Sequence, residues 1–396
     1  MPAVDPPPSL PSRLPLLLAL ACGVAVANVY FPQALTPLIA HGLGVGTDTA
    51  ASVATLTQLG YAVGIFALVP LGDRLPRRTL TVALLALTAL ALLAAGLAPT
   101  PGVLSAAGVA VGAVTVVPQL LIPMAAALVD DGRRGQVIGT LQGGLIGGIL
   151  LARTFGAAVG SALSWRAPYL VAAVAAGLLA AVLARALPPL PAVSDRRYRH
   201  LLADTARLLV AEPALRRSVV YQAGVFAGFS AAWTTLVLLI TGPTYRMGTG
   251  TVGVLALIGA VSMLTTPAAG RLVDRHGPDM VNALCVAGAV VAAGVLATGG
   301  MSGVCGLTGL ICGLVLLDVA VQGNQVANQA RILALRPEAR SRLNTAYMTC
   351  SFLAGSAGSA LSIRVFARSG WGAVCALIAV AAALPLGVRL LRFRRP

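Results

Sequence analysis

Hydrophobic positions in this chain fall into long runs, and polar positions collect in short segments between them. Twelve such runs follow one another, each of about 20 residues, the length at which an α-helix crosses the hydrocarbon core of a bilayer. Each run therefore predicts a membrane-spanning helix. The predicted spans, numbered 1 to 12 in chain order, cover residues 14–40, 50–70, 79–97, 102–127, 136–163, 167–187, 218–240, 250–269, 279–299, 302–327, 343–363 and 370–391.

The longest polar segment separates span 6 from span 7. It covers residues 188–217 and ends in an amphipathic stretch, LLADTARLLVAEPALRR. Six spans lie on each side of it. We therefore expect an all-α membrane protein with an N-terminal six-helix bundle over residues 1–187, a cytoplasmic linker over 188–217 and a C-terminal six-helix bundle over 218–396.

The composition agrees with a chain built for lipid. Of the 396 residues, 58% are hydrophobic and 10% are charged, whereas soluble domains carry roughly 25% charged residues. The net charge of +16 comes from arginines in short clusters between spans, and without a continuous basic surface we expect no nucleic-acid partner. The cysteines and histidines lack metal-ligand spacing and the sequence contains no phosphate-binding loop, so no cofactor is expected.

Arginines are concentrated on one set of connections. The connections after spans 2, 4, 6, 8 and 10 carry most of them, whereas the opposite connections hold only Arg166, Arg246, Arg364 and Arg368. Connections rich in basic residues stay in the cytoplasm. We therefore expect a multi-pass protein of a bacterial inner membrane with both termini in the cytoplasm.

The two halves of the chain repeat each other. Asp73 and Arg74, at the end of span 2, lie 201 positions before Asp274 and Arg275, at the end of span 8. Gln119 in span 4 lies 203 positions before Gln322 in span 10. These matching intervals indicate a duplicated six-span unit and predict two pseudo-symmetric bundles.

The repeated stretches VPLGDRLPRR, residues 69–78, and GRLVDRHG, residues 270–277, resemble a loop motif of the major facilitator superfamily, G-x-L-A-D-R-x-G-R-R. The first copy matches at Leu71, Asp73, Arg74, Arg77 and Arg78, with Val69 and Pro76 in place of two glycines. The second copy matches at Gly270, Leu272, Asp274, Arg275 and Gly277. The chain resembles this superfamily over essentially its whole length, which implies a transporter that works by alternating access.

In the superfamily this motif stabilises one end of the access cycle. The resemblance implies a gating cluster in which an acid meets a helix N-terminus and arginines of a neighbouring loop. Its members here are Asp73, Arg74, Arg77, Arg78, Asp274 and Arg275. The arginines of the first copy also satisfy the positive-inside rule by themselves, so both roles stay open for them. For Asp73 the gating role is favoured, because acids contribute little to topology.

Two other superfamily motifs are only partly present. Span 4 contains Gln119 but lacks the arginine that drug exporters use in proton coupling, so that coupling scheme is in doubt here. Span 5 matches the antiporter pattern at Gly148, Ala152 and Gly156, with Arg153 where the family has proline. This partial match favours export.

Two charged residues lie deep inside predicted spans: Asp318 in span 10 and Arg153 in span 5. At about 1.5 Å per residue, Arg153 is about 18 Å from Trp165 and Asp318 about 22 Å from Gly303, the outer ends of their spans. An ionised side chain at this depth costs at least about 2.5 kcal/mol and is usually functional or paired. We therefore expect a span 5 to span 10 ion pair in which Asp318 carries a proton or binds a substrate charge.

Polar residues accompany these charges. Gln322, Gln325 and Gln329 follow Asp318 at helical spacing and share one helix face with it. The resemblance implies that spans 1, 4, 7 and 10 line a central substrate cavity, with Asn28, Tyr30, Gln33, Gln119, Tyr221, Gln222, Trp233, Gln322 and Gln325 on these spans. The alternative is that Arg153 and Asp318 form a structural bridge while the glutamines hold helices together.

The sequence thus predicts a monomeric secondary active transporter that exchanges a small organic solute for protons by alternating access, in the direction of efflux. The alternative within transport is a proton-coupled importer or a facilitator of a small metabolite. A membrane-embedded enzyme or a receptor without transport is a different class. Neither an HExxH nor a GxSxG motif is present in the sequence to support an enzyme.

Overall fold

The computed structural model describes residues 14–129, 131–188, 197–336 and 339–393. All regular secondary structure in these ranges is helical, which confirms the all-α prediction. The α-helices are α1 (Leu14–Leu43), α2 (Thr47–Leu68), α3 (Arg77–Gly96), α4 (Pro101–Val114), α5 (Val117–Ala127), α6 (Asp131–Ala162), α7 (Ala167–Ala186), α8 (Tyr198–Ala211), α9 (Pro213–Thr241), α10 (Gly250–Gly259), α11 (Thr266–Ala297), α12 (Gly303–Leu335) and α13 (Arg340–Phe393).

The helices account for the twelve predicted spans once their breaks are considered. Ten helical segments of the described ranges are long and apolar enough to cross a membrane. Two helices turn back on themselves at a glycine, Gly277 in α11 (φ 76°) and Gly370 in α13 (φ 73°), a backbone conformation that costs other residues energy. Span 8 is therefore α10, the 3₁₀ turn Ala260–Thr265 and the start of α11, and α13 contains spans 11 and 12.

Small residues bring α1 and α6 into direct backbone contact. A Cβ atom added to Gly144 would lie 2.3 Å from the carbonyl oxygen of Ala19, and one added to Gly148 would lie 2.2 Å from that of Gly23. Only glycine allows this approach, and it is the close packing that small residues permit between helices in lipid. The contact fixes α6, which carries Arg153, against α1, which carries Gln33.

The predicted halves meet through hydroxyl contacts. The Thr55 hydroxyl of α2 lies 2.6 Å from the Ser359 hydroxyl of α13, and Ser356 donates to the Thr55 carbonyl over 3.1 Å. Between α6 and α10, Thr154 donates to the Gly253 carbonyl over 2.8 Å. The end of the molecule that contains the connections after spans 2, 4, 6, 8 and 10 is called the arginine-rich end. All of these contacts lie toward the opposite end.

The polar linker contains an amphipathic helix, α8, at the arginine-rich end. Its buried residues Leu201, Thr205 and Leu208 share one face. The Tyr198 hydroxyl donates to the Ala67 carbonyl over 2.5 Å, and burial raises the pKa of this phenol. Asp204 accepts from Arg342 of α13 over 3.3 Å, so α8 touches both halves. Residues 189–196 lie outside the described ranges, and α9 begins at Pro213, earlier than the predicted start of span 7.

Candidate functional site

Arg153 on α6 and Asp318 on α12 are both buried in the middle of the molecule. Their exposed fractions are 1% and 3%. They come from different predicted halves, and both contact the side chain of Trp233. A matched depth for the two residues was expected from the lengths of their spans.

The guanidinium of Arg153 lies among aromatic rings. Its Cζ atom is 4.1 Å from the centre of the Trp233 ring, 5.1 Å from that of Tyr30 and 5.4 Å from that of Phe229. Its Nε donates a hydrogen bond to Oε1 of Gln33 over 2.9 Å. The rings stabilise the cation through their electron-rich faces, an interaction that strengthens when water is excluded.

The carboxylate of Asp318 is held by Trp233 and by a glycine of span 8. The indole Nε1 of Trp233 donates to Oδ1 over 3.2 Å. On the other side, a Cβ atom added to Gly259 would lie 2.6 Å from Oδ2. Gly259 stands where α10 gives way to the 3₁₀ turn, so the backbone approaches the carboxylate closely because no side chain is present.

The direct ion pair expected between Arg153 and Asp318 is not formed in this conformation. Their nitrogen and oxygen atoms do not come within 4.0 Å of each other, and the Trp233 indole contacts both groups instead. The physical reason is that the ring face attracts the cation while the ring N–H satisfies the anion. One side chain therefore connects the two charges without neutralising them.

We call Arg153, Asp318 and the residues that contact them the buried centre; the contacting residues are Tyr30, Gln33, Phe229, Trp233 and Gly259. Three polar atoms of the buried centre have no hydrogen-bond partner in the described residues. They are Nη2 of Arg153, Nε2 of Gln33 and Oδ2 of Asp318. A buried polar atom that lacks a partner costs about 1–3 kcal/mol, and more when it is charged. Such atoms are rare in native structures, and a water, an ion or a ligand group can supply the missing partner.

Only part of the predicted cavity belongs to this centre. Tyr30, Gln33 and Trp233 contact Arg153 directly. Asn28 instead donates to the Thr115 hydroxyl over 3.2 Å and links α1 to the break between α4 and α5. Tyr221 and Gln222 are buried on α9 nearer the arginine-rich end, about 18 Å along the helix from Trp233.

The predicted glutamines lie between the centre and the arginine-rich end. Gln119 donates to the Tyr61 hydroxyl over 3.5 Å and accepts from Asn344 of α13 over 3.3 Å. Gln322 and Gln325 are half-buried, as is Gln329. These glutamines place polar groups on α5 and α12, nearer the arginine-rich end than the buried charges.

Sequence reasoning missed several residues at or near this centre. Phe229 and Gly259 contact the charged groups, yet nothing in an apolar run distinguishes them from neighbours that face lipid. A network of buried amides was also missed: Asn324 donates to Asn282, which donates to Asn328, each over 2.9 Å. The spacing of Asn324 and Asn328 on one helix face was a signal that could have found it.

The first copy of the gating motif forms local contacts. Asp73 lies 3.9 Å from Arg77 one helical turn later and within electrostatic range of Arg342 on α13. Arg77 donates to the Gly72 carbonyl over 3.3 Å, and Arg78 donates to the Ala184 carbonyl near the end of α7. Arg74 is exposed. The cluster therefore ties α3 to its neighbours and places Asp73 beside an arginine of the other half.

In the second copy, a different acid makes the ion pairs. Asp274 and Arg275 are exposed and form no ion pair among the described residues. Asp279, just beyond the Gly277 break, lies 3.0 Å from Arg217 at the start of α9 and also pairs with Arg331 of α12. Two further ion pairs lie at this end, Asp204–Arg342 at 3.3 Å and Glu212–Arg336 at 2.5 Å. We call these pairs and the two pairs of Asp279 the end cluster.

Comparison with known proteins identifies the family. The Major Facilitator Superfamily model matches residues 16–359. The chain belongs to the Major Facilitator Superfamily. It is 33% identical over 366 residues to the Escherichia coli protein YgaY, an uncharacterized transporter, with 92% of each chain covered. It is 37% identical over 367 residues to the Streptomyces coelicolor protein named "Probable transporter SCO4007", covering 91% of this chain and 83% of that one.

A solved structure confirms the fold of this superfamily member. The nucleoside transporter NupG superimposes with a TM-score of 0.75 at 15% sequence identity, covering 96% of this chain and 100% of that chain. Similarity at this identity shows the shared fold of helical bundles. The protein is therefore a multi-pass membrane transporter of the superfamily, whose members act on small-molecule substrates.

Proposed function

We propose that this superfamily member is a proton-coupled exporter of a small organic solute that works by alternating access as a monomer. The arginine-rich end faces the cytoplasm of a bacterium, and both termini lie on that side, because basic connections are retained there. The division into bundles 1–187 and 218–396 with linker 188–217 supplies the two bodies that move.

The observation that carries this proposal is the state of Asp318. It is buried, it comes from one half, and it faces Arg153 of the other half without a direct ion pair. A buried carboxylate can take up a proton from one side of the membrane and release it to the other. The charge state of Asp318 therefore depends both on the pH of the side it is open to and on its distance from Arg153 of the other half.

The contacts of Asp318 suggest how a proton drives movement. With the carboxylate ionised, Asp318 attracts Arg153 of the other half, and Arg153 also packs on Trp233, so the two halves are held together at the centre. A proton arriving from outside removes that attraction. Return of the proton to the cytoplasm restores it and completes one cycle of exchange.

Of the other predicted residues, one set contacts the solute at the centre and along the path to the cytoplasm, and a second set closes the cytoplasmic end. Asn28, Tyr30, Gln33, Gln119, Tyr221, Gln222, Trp233, Gln322 and Gln325 supply polar and aromatic contacts for the solute. The gating residues Asp73, Arg74, Arg77, Arg78, Asp274 and Arg275 hold the cytoplasmic end while it is closed. The partial antiporter pattern around Gly148, Ala152 and Gly156 supports export as the direction.

A proton-release assay tests the coupling. Everted membrane vesicles are energised with a respiratory substrate, and the acid interior is followed by quenching of a fluorescent amine dye while compounds of a metabolite library are added one at a time. For a transported compound we expect dequenching with the natural protein and with Asp48→Asn, an exposed acid at the start of α2, but not with Asp318→Asn. Dequenching that survives Asp318→Asn would exclude the coupling role.

Solute exchange provides the control for folding. Proteoliposomes preloaded with the unlabelled compound at a saturating concentration should take up labelled compound by counterflow with Asp318→Asn, because exchange without a gradient needs no proton step. Loss of counterflow as well as dequenching at a saturating concentration, with a normal elution profile, would show that the conformational cycle itself requires Asp318 and would contradict a role specific to coupling.

A further inference from the structure

The N-terminal half places two hydrogen-bond donors side by side at the buried centre. Arg153 Nε donates to Gln33 Oε1 over 2.9 Å, which fixes the guanidinium and the amide against each other. Arg153 Nη2 and Gln33 Nε2 are both buried and have no acceptor among the described residues. A guanidinium edge beside an amide NH₂ is a donor pair that matches the two oxygens of a carboxylate.

The C-terminal half places an acceptor opposite these donors. Asp318 uses Oδ1 for the Trp233 indole, while Oδ2 is buried and has no donor among the described residues. Oδ2 faces the backbone at Gly259, where even a methyl group would come within 2.6 Å. A carboxylate oxygen in this setting matches an ammonium group, which donates hydrogen bonds and accepts none.

The donor pair of Arg153 and Gln33 lies close to the acceptor Asp318 without contacting it. The Trp233 ring contacts both Arg153 and Asp318, so the distance between these two groups is no more than that ring and its contacts. The centre carries one positive and one negative charge and is electrically balanced. A solute with a single charge would be attracted by one group and repelled by the other, and a solute with both charges would be attracted twice.

We propose that the solute is a small zwitterion with a carboxylate and a primary ammonium group on the same or adjacent carbon atoms, as in an amino acid. Arg153 Nη2 and Gln33 Nε2 bind the carboxylate, and Asp318 Oδ2 binds the ammonium. This assignment rests on the proposed transport function. The groups are covered in the structure, so the solute reaches them when the halves separate and bridges them on closure.

The assignment explains why export would be coupled to protons. A protonated Asp318 has lost the charge that attracts an ammonium group. Proton and zwitterion therefore compete for one carboxylate, which is the requirement for exchange of one against the other. No further group needs to move a proton.

Binding to the purified full-length protein tests the inference in the absence of any gradient. The thermal unfolding midpoint is measured with the individual protein amino acids and with β-alanine, followed by titration of those that stabilise. Each stabilising amino acid is compared with its carboxamide, which keeps only the positive charge, and its N-acetyl derivative, which keeps only the negative charge. We expect the free amino acid to bind at least about tenfold more tightly than either derivative, because each derivative loses one charged hydrogen-bonded contact.

Two variants should each shift the binding preference from the free amino acid toward a different derivative. Arg153→Gln should weaken binding of the zwitterion about tenfold or more. The carboxamide should then bind as tightly as the zwitterion or more tightly, because the cation that repels it is gone. Asp318→Asn should do the same for the N-acetyl derivative. A variant that has merely lost its fold would bind none of the three compounds, so the gain of a derivative separates recognition from structure.

The outcomes separate this inference from the transport proposal. Absence of stabilisation by every amino acid, or equal binding of a derivative to the natural protein, overturns the zwitterion assignment. Proton release by a singly charged compound that depends on Asp318 would overturn the assignment and leave the coupling proposal standing. Selective amino-acid binding together with proton release that survives Asp318→Asn would support the assignment and remove the coupling role.

Discussion

The buried centre and the end cluster use the same kinds of side chain in different ways. At the arginine-rich end, Asp279, Asp204 and Glu212 pair directly with arginines over distances such as 3.0 Å to Arg217. At the centre, Asp318 and Arg153 lie apart with Trp233 in contact with both. Arginine and carboxylate are therefore joined where water is available and kept separate where it is excluded.

The two regions differ in whether their charged groups stay available to bind a proton or a solute. An ion pair at the partly exposed end can open and re-form in water at little cost, since such pairs contribute about 0.2–1 kcal/mol. A direct pair at the centre would already satisfy both charges and leave nothing for a proton or a solute. The separated arrangement keeps one atom of each charged group available, and the aromatic rings supply the stabilisation that a direct pair would have given.

The largest effect is expected from removal of the indole N–H at the centre. Trp233→Phe keeps an aromatic ring near Arg153 but leaves Oδ1 of Asp318 without its donor, at a cost of about 1.5–3 kcal/mol. We expect the rate of pH-driven transport of the compound found in the vesicle assay to fall by about tenfold. Initial rates in proteoliposomes at equal protein content measure it.

Trp165→Phe is the matched control for this change. Trp165 is also buried, but its Nε1 donates no hydrogen bond within the described residues. Its replacement should leave the transport rate within about twofold of the natural protein, since no charged acceptor loses a donor. Equal losses in the two variants would show that ring size, and not the hydrogen bond to Asp318, limits transport.

A methyl group at the glycine beside Asp318 should have an intermediate effect. Gly259→Ala places a Cβ atom 2.6 Å from Oδ2 and forces the carboxylate or the helix to shift. Added bulk in a packed site costs about 1–3 kcal/mol, and we expect transport to fall by about fivefold. Gly270→Ala is the control, because a Cβ there meets nothing within 4 Å. An unchanged rate with Gly259→Ala would remove close approach to Asp318 as a requirement.

The smallest effect is expected at the end cluster. Asp279→Asn removes ion pairs to Arg217 and Arg331, and we expect the thermal unfolding midpoint to fall by about 1–2 °C at low salt. The difference should shrink at about 1 M salt, where charges are screened within about 3 Å. Asp48→Asn, at an exposed acid without a described ion pair, should cause a smaller shift. A salt-independent loss would show that Asp279 acts through buried contacts like those at the centre.

Particular residues show how far sequence reasoning reached. The spans were predictable because only an uninterrupted apolar run can cross lipid as a helix, and the break at Gly277 was visible as part of a repeated motif. Arg153 and Asp318 were found because charge is rare in such runs. Gly259 and Phe229 were not found, since a glycine or phenylalanine in an apolar run carries no mark of which face it occupies.

The choice between Asp274 and Asp279 shows a second limit. Asp274 lies in the connection after predicted span 8, Asp279 is the first residue of predicted span 9, and the motif selects Asp274. The turn at Gly277 carries Asp279 toward α9 and α12, where Arg217 and Arg331 lie, and leaves Asp274 exposed. Ion pairing between distant helices depends on the direction in which a turn leaves the membrane, which the motif does not specify.

The amino-acid sequence alone determined that this protein is helical, that it crosses the membrane repeatedly in two related halves, and that one acid and one arginine lie at the same depth. These properties follow from hydrophobicity and periodicity, which are local. Only the tertiary structure decided that Trp233 joins those charges, that Gln33 orients the arginine and that Gly259 borders the acid. Those contacts unite α1, α6, α9, α10 and α12, and their geometry arises from packing between segments far apart in the chain.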